Sequence, residues 1–266
     1  MASRKEQKEA ARQARLEQER ALAERAARNR RLQMLGGVVV VAVAVVVVLI
    51  IASGGSNSTT APKPTSPQAK TAAQKVDTLL AGIPQDGTRL GSPSAPVTVT
   101  EFGDLECPVC KDFATGAENQ LIAKDVRSGK VALVYRSLPT ATANGPDPGI
   151  FPTQQAAALA AGQQKLGWYY IELFYNEQGA EDTAYVTPTY LGGLARQVPG
   201  LNYGEWNTQR FNPALTAQVD KDEQAANAAG YNSTPTIVVK GPKSQAQPIV
   251  GDTDYGTLES AIKSVS

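Results

Sequence analysis

Residues 34–52, MLGGVVVVAVAVVVVLIIA, run nineteen positions without a charge. No other stretch limits the possible folds so strongly. At 1.5 Å of rise per residue the run forms a helix of about 28 Å, which matches a hydrocarbon core of roughly 30 Å. A helix buried in a soluble domain normally keeps a polar face, and this run has none. Residues 1–33 before it hold ten Lys or Arg and five Glu. A cleaved signal peptide would have a far shorter basic region and a small-x-small site after the apolar run, and LIIASGGS offers no such match. The sequence therefore predicts an uncleaved signal anchor, a single transmembrane helix. The basic flank lies on its N-terminal side, so residues 1–33 are expected in the cytoplasm as a basic, partly helical tail. Everything after about residue 53 is then expected outside, on the extracytoplasmic face of the cell membrane.

Residues 53–76 are rich in Ser, Thr, Pro, Gly and Ala and read as a flexible extracytoplasmic linker. Residues 77–266, about 190 of them, are enough for one domain with its own core. Formal net charge is +1, so no global field points to nucleic acid, and none is expected as a partner. The chain has no histidine, which removes His-based acid–base chemistry and most zinc and haem sites.

APVTVTEFGD alternates apolar and polar positions and predicts a strand over about 96–102. Helical sequence follows from Cys107 to about Lys124, and KVALVYRSLP, 130–139, reads as a central strand. Strand, helix and strand imply a parallel βαβ unit. An Ala-rich helical block then occupies about 150–230. Its Trp168, Tyr169, Ile171, Leu173 and Phe174 are expected in the core. Two strands, STPTIVVKGP and QPIVGD, and a closing amphipathic helix complete a mixed sheet with helices packed on it.

The chain has two cysteines, Cys107 and Cys110. A metal site needs three or four protein ligands, and two thiolates without an imidazole supply too few, so no metal and no cofactor are expected. A disulfide closing so short a loop removes little chain entropy and makes a poor staple for 190 residues. A redox pair needs a thiolate at a helix N-terminus just after a strand, and the sequence provides that context. The helix dipole lowers a thiol pKa there by up to about one and a half units. Pro108 suits the first helical turn. Asp104 and Glu106 pull the other way.

Three features together resemble the DsbA-like family of thioredoxin-fold disulfide oxidoreductases. They are EFGDLECPVCKDF, then GQQKLGWYYIELFYNEQ in the helical block after the second strand, and GYNSTPTIVV, similar to the family's Thr-Pro loop. The resemblance spans residues 77–266, about 70% of the chain. It implies an α/β fold, a thioredoxin-like mixed sheet with an inserted helical subdomain at about 150–230. It also implies that Cys107 is the exposed nucleophile, Cys110 its buried partner and Pro235 a cis-proline. Thr234 would offer backbone hydrogen bonds to an extended client peptide. Glu101, six residues before Cys107, would be a buried carboxylate that accepts or relays the Cys110 proton; a solvent-facing strand residue is the alternative. The dipeptide between the cysteines, Pro108-Val109, lacks the histidine of strongly oxidising members, so a less oxidising couple is expected.

The expected activity is an extracytoplasmic thiol-disulfide oxidoreductase that donates a Cys107–Cys110 disulfide to exported proteins through a mixed disulfide. Its expected partners are reduced or misfolded exported proteins with cysteines, and a membrane quinone-linked thiol oxidase that reoxidises the pair. The alternatives are a membrane-anchored thiol reductase and a non-catalytic thioredoxin-fold binding module.

Overall fold

The computed structural model describes residues 66–266. The basic tail 1–33, the apolar run 34–52 and the first part of the expected linker lie outside the described residues. The linker expectation fails over its last ten positions, because helix α1 (Pro67–Leu80) begins inside it. Ser66 caps this helix by accepting from the Ala69 N–H at 3.1 Å, and Pro67 occupies the first turn. Composition reads Ser-Pro as linker, whereas here the pair is a helix start. Ala69, Val76 and Leu80 form its buried stripe.

Two short strands follow, β1 (Gln85–Asp86) and β2 (Arg89–Leu90). Strand β3 (Val97–Gly103) and strand β4 (Val131–Ser137) are parallel and are joined by a helix α2 over 108–126. Helix α2 is not uniform. After Pro108–Phe113 it widens into a π turn at Ala114–Glu118, and again at Ile122–Val126. Helix α3 (Ala141–Asn144) leads to five further helices: α4 (Phe151–Gln163), α5 (Gly167–Asn176), α6 (Pro188–Ala195), α7 (Tyr203–Gln209) and α8 (Pro213–Ala228). The chain closes with β5 (Thr236–Lys240), β6 (Ile249–Val250) and α9 (Tyr255–Val265).

The sheet order is β1-β2-β4-β3-β5-β6, with β5 antiparallel to β3. Strand β3 is thus flanked on both sides. Its alternation places Val97, Val99, Glu101 and Gly103 on one face and Thr98, Thr100 and Phe102 on the other. Val97 and Val99 join the main core, to which α1, α2 and α5 also contribute. Phe102 packs with Leu138, Ala226 and Val238 in a smaller cluster beneath α8. A charged Glu101 therefore shares the face of its strand with two core valines. Four of the five aromatic and aliphatic residues expected in the core, Trp168, Ile171, Leu173 and Phe174, are fully buried. Tyr169 is half-buried and donates its hydroxyl to Asp77 on α1 at 3.2 Å.

The β1–β2 hairpin has no strong sequence signal, and tertiary contacts hold it. Trp168 donates its indole N–H to Thr88 O at 2.8 Å and its backbone N–H to Gln85 at 3.0 Å. The α4–α5 junction comes so close that a Cβ at Gly167 would lie 2.5 Å from Gly87 O.

Candidate active site

Strand β3 ends at Gly103, and the turn that follows is organised by Asp104. Its buried carboxylate accepts from the N–H groups of Glu106 at 3.1 Å, Thr140 at 2.9 Å and Thr142 at 2.9 Å, and from the Thr142 hydroxyl. From the other side the Gln178 amide donates to Leu105 O at 2.8 Å and Cys107 O at 3.0 Å. Cys107 is thereby fixed as the N-cap of α2, with Pro108 next to it, and its sulfur accepts from the Cys110 N–H at 3.4 Å. A thiolate stands where a capping Ser or Asp would place its oxygen, facing the partial positive charge of the helix end.

The second half of the site comes from a distant part of the sequence. The Thr234–Pro235 bond is cis. Thr234 O lies 3.5 Å from Cys107 Sγ, and the hydroxyls of Thr140 and Thr234 are hydrogen-bonded. Gly251 N–H donates to Pro235 O at 2.9 Å and fixes the loop from β6. Cys107 is not the openly exposed thiol that the resemblance implies. It is 5% exposed, against 0% for Cys110, because the Thr234–Pro235 loop packs over it. Val109, between the two, is 37% exposed and forms the outer lip.

The two thiols differ chemically. The Cys107 thiol is lowered to about 7, chiefly by a hydrogen bond from Cys110, and further by Thr234 and the Cys110 and Val109 N–H groups; burial opposes this. At neutral pH about half of it is thiolate. The Cys110 thiol is pushed well up, first by burial and then by the hydrogen bond it gives to Cys107. Burial raises the Glu106 carboxyl to about 7, so it opposes the Cys107 thiolate only in part at neutral pH.

Glu101 is wholly buried, which excludes a solvent-facing strand residue. In the sheet it pairs with Tyr135 on β4 and Ile237 on β5. Neither of its carboxylate oxygens has a hydrogen-bond donor among the described residues. Burial lifts it to about 8, the neighbouring Glu118 holds it below what burial alone would give, and Cys107 charge raises it. It is therefore mainly a neutral acid at pH 7.

Two residues of this site escape a sequence reading, Glu118 and Glu172. Both are fully buried, and neither has an ion pair among the described residues. Glu118 closes the first π turn of α2. On a regular α-helix a residue eight positions after Cys110 lies about 80° around the axis, and a wider turn reduces that angle. Glu172 did leave a signal. It is the one charged residue in GWYYIELFYN, the α5 sequence.

Residues 85–263 match a family model described as Thioredoxin. Disulfide bond formation protein D of Bacillus subtilis (strain 168) is 26% identical over 181 residues, covering 65% of this chain and 74% of that protein. The oxidised crystal structure of BdbD from Bacillus subtilis superposes with a TM-score of 0.57 at 23% identity, covering 68% of this chain and 96% of the other. Wolbachia pipientis alpha-DsbA1 gives a TM-score of 0.54 at 18% identity, covering 70% and 92%.

Proposed function

The chain belongs to the thioredoxin family, in its DsbA-like branch, and is a protein thiol-disulfide oxidoreductase; on that premise we propose that it donates a Cys107–Cys110 disulfide to exported proteins. A client thiolate attacks Cys107 Sγ, and the bond to Cys110 breaks. Cys110 leaves as a thiolate and takes a proton, since burial keeps its pKa high. A second client thiolate then attacks the client sulfur of the mixed disulfide, and Cys107 leaves as a thiolate that its pKa of about 7 accommodates. Two client thiols become a disulfide, and the enzyme keeps a dithiol.

The observation that carries this reading is the asymmetry of the pair. A low-pKa sulfur caps a helix beside a Thr-Pro loop, with a fully buried thiol behind it. A purely structural bridge needs no such difference. Thr234 and Pro235 supply the client contact. The Thr234–Pro235 loop borders Cys107, so an extended client can align with it as an added strand. Glu101 is the proton donor to Cys110, since it is neutral near pH 7 and its charge is coupled to Cys110.

The apolar run 34–52 supports a single-pass anchor, with the cytoplasmic tail inside and the oxidoreductase domain outside, where disulfides persist. A membrane quinone-linked thiol oxidase then restores the disulfide. The test replaces Cys110 by Ala in cells and identifies what is trapped on Cys107. Exported proteins with cysteines are expected. A trapped membrane reductant would reverse the direction of electron flow, and an absence of mixed disulfides would refute the enzymatic reading.

A further inference from the structure

Three carboxyls are buried together on the core side of β3, and the exchange chemistry accounts for only one of them. Glu101 belongs to β3, Glu118 to α2 and Glu172 to α5. All six of their carboxylate oxygens are buried and have no hydrogen-bond partner among the described residues. Glu101 faces Glu118 and Tyr175, and Glu118 faces Glu101 and Glu172. Carboxyls packed together in the core without a counter-ion cannot all be ionised, so the row holds protons. Burial raises all three, Glu101 and Glu172 to about 8 and Glu118 well above the usual range. Among the described residues no cation is placed between them. Lys75 of α1 is near Glu172 but gives its ammonium to Asn176 Oδ1 at 3.0 Å. The other titratable groups around the row are Cys107, Cys110, Tyr135 and Tyr175. The Tyr175 hydroxyl likewise has no partner among the described residues and lies 3.0 Å from the point where a Gly103 Cβ would stand, 2.9 Å from which lies Glu101 Oε1.

The row has two different ends. At one, Glu101 is coupled to Cys110. At the other, Glu172 lines a groove of about 200 Å³ together with Lys75, Val76, Thr78, Leu79, Asn119 and Asn176. None of these groove residues belongs to the Cys107–Thr234 surface. Carboxyls left unpaired in a core cost stability, and a shared function explains three in contact.

We propose that Glu118 and Glu172 extend Glu101 into a proton relay joining Cys110 to the groove between α1 and α5. The relay rests on the exchange reaction proposed above. When the disulfide opens, the Cys110 thiolate takes the Glu101 proton, Glu101 is reprotonated from Glu118, Glu118 from Glu172, and Glu172 from a water that enters from the groove as the α1–α5 packing opens. Each proton moves one place and no electron moves. Reoxidation runs the row backwards. Protons thus travel by a route separate from the client surface, and a client covering Cys107 does not block them.

The test uses the full chain in detergent, with Glu118→Gln, Glu172→Gln and, as a control, the exposed Glu205→Gln. The oxidised protein is mixed with excess cysteine-containing peptide, and loss of the Cys107–Cys110 bond is followed through one turnover across pH, in H₂O and D₂O. Both relay variants are expected to be slower by about tenfold or more, with a larger solvent isotope effect, while the control is unchanged. Relay variants within about twofold of the parent at every pH, without a changed isotope effect, would overturn the relay. If the parent itself exchanges no disulfide, the proposed function fails instead. Should a Gln variant not fold, Glu118→Met and Glu172→Met replace it under the same two outcomes, since an apolar side chain of similar shape needs no hydrogen-bond partner in the core.

Discussion

Replacing Glu101 by Gln should make the reduced protein more stable at alkaline pH, even though it weakens proton delivery to Cys110. The Glu101 carboxyl stands at about 8 in the folded protein against 4.5 unburied, with burial the main cause. A folded pKa above the unfolded one gives a contribution that is intact below the unfolded value and lost as pH rises through the folded value. Between about pH 4.5 and 8 the unfolded chain ionises this group and the native state does not, so the parent loses stability across that window. One pKa unit is worth about 1.4 kcal/mol, which sets a ceiling of roughly 5 kcal/mol for the whole shift. Glu118 and Glu172 add to it, because they relax towards the ordinary carboxylate range once their neighbour is neutral, while residual structure in the unfolded chain takes some of it back. The expected gain from Glu101→Gln therefore grows by about 2–4 kcal/mol between pH 5 and 8.5. An amide group of the Gln left unpaired costs about 1–3 kcal/mol, but that cost does not depend on pH and drops out of the difference. The assay is urea unfolding of parent and variant at several pH values. A difference in stability that stays flat within about 0.5 kcal/mol across the window would show that Glu101 is not held protonated by burial.

Two further outcomes follow from the same geometry. Val109→His puts a donor beside the Cys107 sulfur, so the thiolate titration should fall below its present value of about 7 and the couple should become more oxidising, as measured by thiolate absorbance and by equilibration with glutathione; the parent's own potential is expected to lie below the roughly −120 mV of the strongest oxidants, and a value at or above that refutes the inference from Val109. Asp104→Ala removes the acceptor for the Glu106 N–H in the turn that positions Cys107, and for the Thr140 and Thr142 N–H groups and the Thr142 hydroxyl that tie the start of α3 to that turn, so thermal unfolding should register a loss of about 2–4 kcal/mol together with slower exchange.

Strand β3, the helix starting at Cys107, strand β4 and the last two strands were legible because each rests on a local pattern: alternation, a capping position or a Pro that opens a strand. The Cys-x-x-Cys pair and the Thr-Pro dipeptide were legible for the same reason, although 127 residues separate Cys107 from Thr234. Helix α1 was not, since Ser66-Pro67 carries the same letters in a linker and in a helix cap. The β1–β2 hairpin depends on Trp168 and on the close approach of Gly167 to Gly87, contacts with no local trace. Glu118 and Glu172 were missed for a third reason. A glutamate in a helical pattern reads as a solvated face, and only the packing of α2 and α5 against β3 turns these two inward. The limited exposure of Cys107 belongs with them, because the loop that covers it comes from the far end of the chain.

The fold makes two chemically different thiols from a four-residue motif. Alkylation of the reduced, folded protein with iodoacetamide across pH, with each cysteine read by mass spectrometry, separates them. Cys107 should be modified with a midpoint near 7, and Cys110 should stay unmodified while the fold is intact. Equal reaction of both thiols, or a Cys107 midpoint near the ordinary thiol value of 9.0, would contradict it.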